Sequence, residues 1–412
     1  MVEKAYPQVP EIRFRGFSKS WEERELLKQF TKIIDFRGRT PKKLGLDWSD
    51  KGYLALSAVN VKDGHIDFAV DAHVGDDKLY DVWMKGNELH KGQVLFTTEA
   101  PMGNVAQVPD DRMYILSQRT IAFEVDEQAL LEDFLAVLLR APFTFRRLSS
   151  LSSGGTAKGV SQRSLESFTS VFPSDVEEQR EIGAYFKSLD RMIGLHQRKH
   201  DKLVTLKQAM LQKMFPQDGD TIPEIRFRGF MGDWEEKELD AAGEFNPNAA
   251  LPEVFEYVDL ESVVGTQMVD HRTESKNSAP SRAQRLAQKG DLFFQTVRPY
   301  QRNNYLFNLP RKDFVFSTGY TQIRPFNDGS FLLSAMQRNE FVKVVLDNCT
   351  GTSYPAISSN GLAKILIRTP SPLEQEKIGT YFRNMDKLIS KHANQLEKLK
   401  NIKSACLEKM FV

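Results

Sequence analysis

The sequence predicts an α+β protein: two similar domains, each followed by a long helix, with the two helices packed as an antiparallel coiled coil of pseudo-two-fold symmetry. Three observations lead there. The tract Pro10-Glu11-Ile12-Arg13-Phe14-Arg15-Gly16-Phe17 returns letter for letter as Pro223-Glu224-Ile225-Arg226-Phe227-Arg228-Gly229-Phe230, with Trp21 and Trp234 at the same distance behind. The stretch Glu178 to Phe215 realigns with Glu374 to Phe411, 17 of 38 positions being identical. The segments between these copies scarcely match. Repeated frames around unlike inserts mark one scaffold used twice. The expected boundaries are a first domain at 1–176, its helix at 177–215, a second domain at 216–372 and its helix at 373–412.

Length and composition agree with two domains. A chain of 412 residues with 41% apolar and 27% charged side chains is ordinary for a globular protein. Cys349 and Cys406 are too few for a disulfide framework and lack metal-ligand spacing, so no metal is expected. No apolar run approaches a membrane span and no signal-peptide pattern opens the chain, which gives a cytoplasmic expectation. The net charge of +1 names no partner. A nucleic-acid binder of this composition has to gather its basic groups locally.

Within the first domain, Tyr53-Leu54-Ala55-Leu56, Val94-Leu95-Phe96 and Thr120-Ile121-Ala122-Phe123 are apolar runs between turn-rich clusters and read as strands. Residues 128–148 read as a helix through Leu130, Leu131, Phe134, Val137 and Leu138. Gly155-Thr156, Val160-Ser161, Pro173-Ser174 and Glu178-Gln179 then recur in order as Gly351-Thr352, Ile357-Ser358, Pro370-Ser371 and Glu374-Gln375. Lys91-Gly92-Gln93-Val94-Leu95-Phe96 echoes Lys289-Gly290-Asp291-Leu292-Phe293-Phe294. The two inserts are therefore expected to share a fold despite unlike loops.

The segments 177–214 and 373–410 are the strongest helix predictions. Apolar residues recur by threes and fours at Ile182, Tyr185, Leu189, Met192, Leu203, Leu206 and Met210, and again at Ile378, Tyr381, Met385, Leu388, Leu399, Ile402 and Cys406. This is a coiled-coil seam. Each helix is about 57 Å long at ~1.5 Å per residue, and an isolated helix needs a partner for its stripe. His196 and His392 interrupt the seams near their midpoints. Either the imidazoles sit at the stripe's edge in water, or they meet near a local two-fold axis and fix register. Two histidines without a nearby carboxylate or thiolate make a poor metal site. The helices are also basic, with eight Lys/Arg against four Asp/Glu over 178–215 and eight against five over 374–411. That charge is a solvated face, or it meets phosphates or an acidic partner.

Antiparallel helices would carry two unlike domains at the ends of a rod of about 17 base pairs' length, related by an axis of the kind duplex DNA itself possesses. The ordered set Pro-Glu-Ile-Arg-Phe-Arg-Gly-Phe, Trp-Glu, Gly-Thr, Ser, Pro-Ser and Glu-Gln-x-x-Ile-Gly-x-Tyr-Phe, occurring twice along nearly the whole chain, resembles the specificity (S) subunits of type I restriction-modification systems. The resemblance implies two target recognition domains that read an asymmetric bipartite site on double-stranded DNA. It also implies an adaptor role. Two modification subunits would dock and methylate adenine with S-adenosylmethionine, and restriction subunits can add translocation and cleavage with ATP and Mg. No cofactor is expected in this chain.

The residues agree that the chain is not itself an enzyme. Asn246-Pro247-Asn248 lacks the second proline and the aromatic of an adenine methyltransferase motif. Gly154 to Gly159 has its lysine in the wrong order for a P-loop. The histidines form no triad pattern. Pro109-Asp110-Asp111 is followed by no convincing carboxylate and lysine partners for a nuclease. The alternative is a coiled-coil scaffold whose two domains bind proteins.

DNA contacts should come from side chains that match base edges and phosphates. In the first domain the candidates are Arg37, Arg39, Lys42 and Lys43 in a basic loop, Thr98 and Asn104 after the Lys91 strand, Gln118 and Arg119 before the next strand, and Lys158 after the Gly-Thr turn. In the second they are Arg298, Tyr300, Gln301, Arg302, Asn303 and Asn304 in the matching loop, with Tyr320, Ser353 and Tyr354.

Overall fold

The computed structural model describes residues 9–152, 159–217, 219–351 and 353–412. The chain divides into two compact units, Met1–Gln197 with Asn394–Val412, and Arg198–Ala393. This division runs across both long helices rather than beside them. Each unit holds the first half of the helix that follows its domain and the second half of the other helix.

In the first unit a four-stranded antiparallel sheet runs in the order Phe30–Asp35, Thr120–Val125, Val94–Thr97, Val105–Gln107. Successive side chains alternate between its faces. Val94, Phe96, Ile121 and Phe123 join the helices in one core, while Leu95, Ala106 and Ala122 join a second core with Leu56, Trp83 and Ile115. There Tyr53–Leu56 pairs in parallel with Ile115–Leu116. The second unit repeats the scheme. Its sheet order is Gly243–Phe245, Tyr320–Pro325, Leu292–Gln295, Tyr305–Leu306, and Val254–Val258 pairs in parallel with Phe314–Ser317. The two inserts thus share a fold while hardly sharing a letter.

The helix expected over 128–148 is two helices, Glu132–Arg140 and Pro142–Ser150. Pro142 lacks the N–H that would continue the first and instead opens the second, where no partner is needed. The long helices span Val176–Lys213 and Pro372–Lys409, starting within a residue of the expected 177 and 373 and ending short of the expected 215 and 412.

The repeated tracts explain themselves as joints. The Ile12 amide donates to the Lys409 carbonyl at 3.0 Å, and Ile225 donates to Lys213 at 2.8 Å. Each long helix therefore has one of its orphan C-terminal carbonyls satisfied by a Pro-Glu-Ile-Arg tract. The following arginine forks onto a buried carboxylate in the first turn of the other helix half. Arg13 Nε and Nη2 donate to Glu178 at 2.6 and 2.7 Å, and Arg226 meets Glu374 at 2.7 and 2.8 Å. Glu178 and Glu374 are each only 1% exposed, so both charges depend on that fork. The neighbouring glutamines close the preceding turn, Gln179 donating to the Pro173 carbonyl and Gln375 to that of Pro370, both at 2.9 Å.

Aromatic rings complete each joint. Phe411 lies about the rings of Trp21, Phe134 and Phe186 at 6.1, 6.0 and 6.1 Å. Phe215 lies likewise by Trp234, Phe331 and Phe382 at 5.7, 5.5 and 6.1 Å. Glycine permits the helix to approach so closely. A Cβ at Gly183 would fall 2.9 Å from the Asp133 Cβ, and one at Gly379 would fall 2.8 Å from the Phe331 amide nitrogen.

The helix halves run antiparallel within each unit. In the first, Tyr185 Oη is 3.6 Å from Cys406 Sγ, and Lys403 bridges Asp190 at 2.6 Å. In the second, Lys207 bridges Asp386 at 2.5 Å. Ile182, Leu189, Ile378 and Met385 are buried, and Tyr185, Leu399, Ile402, Cys406, Met210 and Tyr381 pack partly buried against the same cores. Leu203 is half-buried, as are His196 and His392. Three seam residues are corrected: Met192, Leu206 and Leu388 are 39%, 40% and 46% exposed. At 3.6 residues per turn the stripe moves on by one position. It passes through Phe186 and the half-buried Ile193, through Phe382 and Ile389, and through Lys207 instead of Leu206.

The two joints differ at one atom. Trp21 Nε1 donates to Glu178 at 3.2 Å, whereas Trp234 Nε1 has no hydrogen-bond partner among the described residues. Trp21→Phe should destabilise the first unit by about 1.5–3 kcal/mol, the range for a lost hydrogen bond to a charged group. Trp234→Phe makes the same change of ring size but removes an unsatisfied donor, and should cost clearly less. Thermal melts of the two variants check this difference.

Candidate nucleic-acid interface

In each unit the second and third strands of the main sheet end in loops on one edge. The first unit's loop leaves Thr97 and returns at Val105. Thr97 fastens it twice, its hydroxyl donating to the Pro101 carbonyl at 2.7 Å and accepting from the Asn104 amide at 2.9 Å. The Thr98 amide donates to the Arg119 carbonyl at 2.8 Å, and Val160 donates to the Thr98 carbonyl at 3.0 Å. Three sequence-distant segments therefore converge, leaving a cleft of about 310 Å³ bordered by Arg37, Thr98, Glu99, Gln118 and Arg119.

Four candidates from the sequence meet in that cleft, and its cations are internally paired. Arg37 grips Asp35, with Nε at 3.0 Å from Oδ1, and donates to the Val160 carbonyl at 2.9 Å. Arg119 reaches Glu99 at 3.0 Å from a left-handed backbone, φ 68°. Such a conformation in a residue other than glycine is concentrated at functional sites. Thr98 is buried and its hydroxyl donates to the Arg119 carbonyl, so its role is corrected to a loop fastening. Gln118 is half-buried, while Arg39, Lys42 and Lys43 are exposed. Arg39 stands over the Phe36 ring at 5.4 Å, and Lys43 Nζ donates to the Gly38 carbonyl at 2.6 Å. Asn104 turns inward and donates to the Val61 carbonyl at 2.9 Å. Lys158 lies outside the described residues.

The second unit builds the same edge with other chemistry. The Thr296 amide donates to Gly319 at 2.9 Å, Ile357 to Thr296 at 3.0 Å, and Arg298 to Pro355 at 2.8 Å. Two left-handed arginines, Arg298 at φ 55° and Arg302 at φ 56°, bracket the short turn Pro299–Gln301. Arg298 lies over the Tyr354 ring at 4.5 Å, an aromatic partner where the first unit uses carboxylates. Tyr354 and Tyr300 are 64% and 50% exposed, with Gln301 and Ser353 exposed beside them.

The remaining candidates hold this loop in place. Arg302 donates to the Gln337 carbonyl at 3.2 Å and to Asn339 Oδ1 at 2.8 Å, while Gln337 returns a bond to the Arg302 carbonyl at 3.1 Å. Asn303 Oδ1 accepts from the Gly265 amide at 2.8 Å. Asn304, buried, accepts from the Gln295 amide at 2.9 Å. Tyr320 is fully buried in an aromatic core, and burial pushes its phenol well above the ordinary range. Asn304 and Tyr320 are therefore corrected from surface contacts to parts of the frame. Gln295 was not among the candidates; its side-chain amide donates to the Val297 carbonyl at 2.7 Å and to Gln301 Oε1 at 2.8 Å. A polar residue closing the apolar run Leu-Phe-Phe-Gln was the available signal.

Comparison with known proteins gives two kinds of likeness. Residues 18–205 match the family described as type I restriction modification DNA specificity domain. The crystal structure of a type I restriction-modification system S subunit from M. genitalium superimposes with a TM-score of 0.62 at 15% identity, covering 98% of this chain and 99% of that one. An HsdS subunit from Thermoanaerobacter tengcongensis aligns at 19% identity over 95% of this chain and 96% of that one, with a TM-score of 0.42. A chain from a structural study of complex assembly and conformational transition of the type I R-M system aligns at 18% identity over 94% and 96%, with a TM-score of 0.47. At these identities the first of the three establishes the shared fold across both units.

Arg302→Lys keeps the charge but cannot bridge the Gln337 carbonyl and Asn339 together. Losing one of these bonds at about 1 kcal/mol should speed amide exchange across 297–304 roughly five-fold, leaving the rest of the second unit unchanged. Exchange measured by mass spectrometry checks it.

Proposed function

We propose that this chain, whose residues 18–205 match the type I restriction modification DNA specificity domain, reads with each of its two units one half of an asymmetric bipartite DNA target. The observation that carries this reading is one sheet-edge frame presented twice with different side chains. Carboxylate-paired Arg37 and Arg119 stand on the first edge. Arg298 over Tyr354, beside Tyr300, stands on the second. Frames of one shape bring equivalent edges to a duplex, and unlike side chains there select unlike bases.

In this reading the loop arginines and exposed tyrosines read or stack, while Arg39, Lys42 and Lys43 hold phosphates. The chain is an adaptor without chemistry of its own. Two modification subunits supply adenine methylation with S-adenosylmethionine, and restriction subunits, where present, supply ATP- and Mg-dependent steps. The paired helices set the distance between the half-sites. Among the described residues no helix is long and apolar enough to cross a membrane.

Methylome sequencing of cells with and without this chain should reveal one asymmetric bipartite motif that depends on it. No chain-dependent motif, or binding of proteins with no effect of salt on DNA association, would instead favour a protein scaffold. Arg298→Ala should weaken discrimination at one half-site only, by about 1–3 kcal/mol if the arginine reads a base. Competition binding against single-base variants of both half-sites measures it. Seven residues inserted into both long helices lengthen each by about 10 Å. The preferred spacer should then grow by about three base pairs with both half-sites unchanged, which the same sequencing reads.

A further inference from the structure

Most half-buried arginines of the second unit face a carboxylate. Arg226 meets Glu374 at 2.7 Å, Arg324 meets Asp291 at 2.9 Å and Arg368 meets Glu236 at 3.2 Å. Arg285 has no such partner. It lies on Ala283–Leu286, the outer strand of a four-stranded sheet. A register shift between Ala283 and Arg285 places it opposite Phe316. Phe316 is fully buried and stacks on Phe293 at 3.7 Å, so the arginine stem borders an aromatic core. Its Nε is buried without a hydrogen-bond partner, and among the described residues it makes no ion pair. Burial pushes its pKa down.

Desolvating Nε without a hydrogen bond costs stability. Its position supplies a reason. The Thr318 amide donates to the Arg282 carbonyl at 2.8 Å, and the neighbouring Gly319 carbonyl accepts from Thr296, two residues before Arg298. The outer strand is thus continuous with the reading edge, and Gln284 on it and Arg282 just before it are exposed.

We propose that Arg285 holds a backbone phosphate of the DNA bound by the second unit, completing with an external anion the ion pair that the fold leaves open. This rests on the reading of the chain as a DNA specificity subunit. A phosphate is the favoured anion because a duplex presents one at every step, within reach of a side chain rooted beside the core. A base-reading arginine must instead project into a groove.

The test measures binding of the full chain, assembled with whatever subunits its DNA binding needs, to target and unrelated duplexes across salt. Arg285→Met keeps the stem and removes the charge. It should weaken binding about ten-fold for both duplexes, as for one lost charged hydrogen bond. The plot of log affinity against log salt should become shallower by about 0.9. The melting temperature of the free protein should equal or exceed that of the wild type, because an uncompensated charge is gone. Arg285→Lys should keep the wild-type salt slope. A lowered melting temperature with an unchanged slope assigns Arg285 to the fold and overturns the proposal. Loss confined to the target duplex makes it a base reader and overturns it as well. If the wild type itself shows no salt-dependent DNA binding, the function proposed above fails first and this assignment falls with it.

Discussion

The buried arginine–glutamate fork is the constraint on which the rest of the architecture hangs. Glu178 and Glu374 sit in the first turns of the long helices, almost without solvent. A carboxylate there is tolerable only while Arg13 or Arg226 meets it in a bidentate fork. Each arginine is delivered by a short tract whose backbone is already bonded to the end of the other helix. One ion pair therefore sets three things together: where a domain begins, where one helix starts and where the other stops. The burial of Phe411 and Phe215 follows from that placement.

This explains which parts of the fold were legible in the sequence. The letter-for-letter copies are the joint residues, because a buried fork, a glycine crossing and a packed ring accept few substitutes. The helix starts were readable to within a residue because a long period leaves many letters. Met192, Leu206 and Leu388 were misread because a three-four alternation fits two adjacent phases, and only the partner's surface chooses between them. The break at Pro142 was in plain view, yet the apolar rhythm on either side outweighed it. The shared fold of the inserts was visible only in echoes such as Lys-Gly-x-x-x-Phe. A strand requires alternation and not particular letters.

The candidate interface was legible by region and poorly by role. Candidate loops lie together at one edge in each unit, Arg37 with Arg119 in the first and Arg298 with Tyr354 in the second. Composition could not tell Arg298, stacked on an exposed tyrosine, from Arg302, four residues on and spent on Gln337 and Asn339. Nor could it separate Asn303, on the loop, from Asn304, turned beneath it. Those distinctions depend on φ at single residues and on partners dozens of positions away. Arg285 escaped notice for the opposite reason, since a lone arginine in a strand carries no motif at all.

The first unit is assembled from both ends of the sequence. Its core includes Met410, Phe411 and Val412 beside Trp21 and Phe134, whereas the second unit is a single continuous stretch, Arg198–Ala393. A chain emerging from a ribosome thus has every residue of the second unit in hand while the first still lacks its closing helix. Nearly four hundred residues separate Ile12 from the carbonyl it bonds at Lys409, and closing so long a loop is entropically slow. Folding here cannot simply follow the order of synthesis from the N-terminus. The domain made first must wait, its aromatic socket open, until translation reaches its final turn of helix.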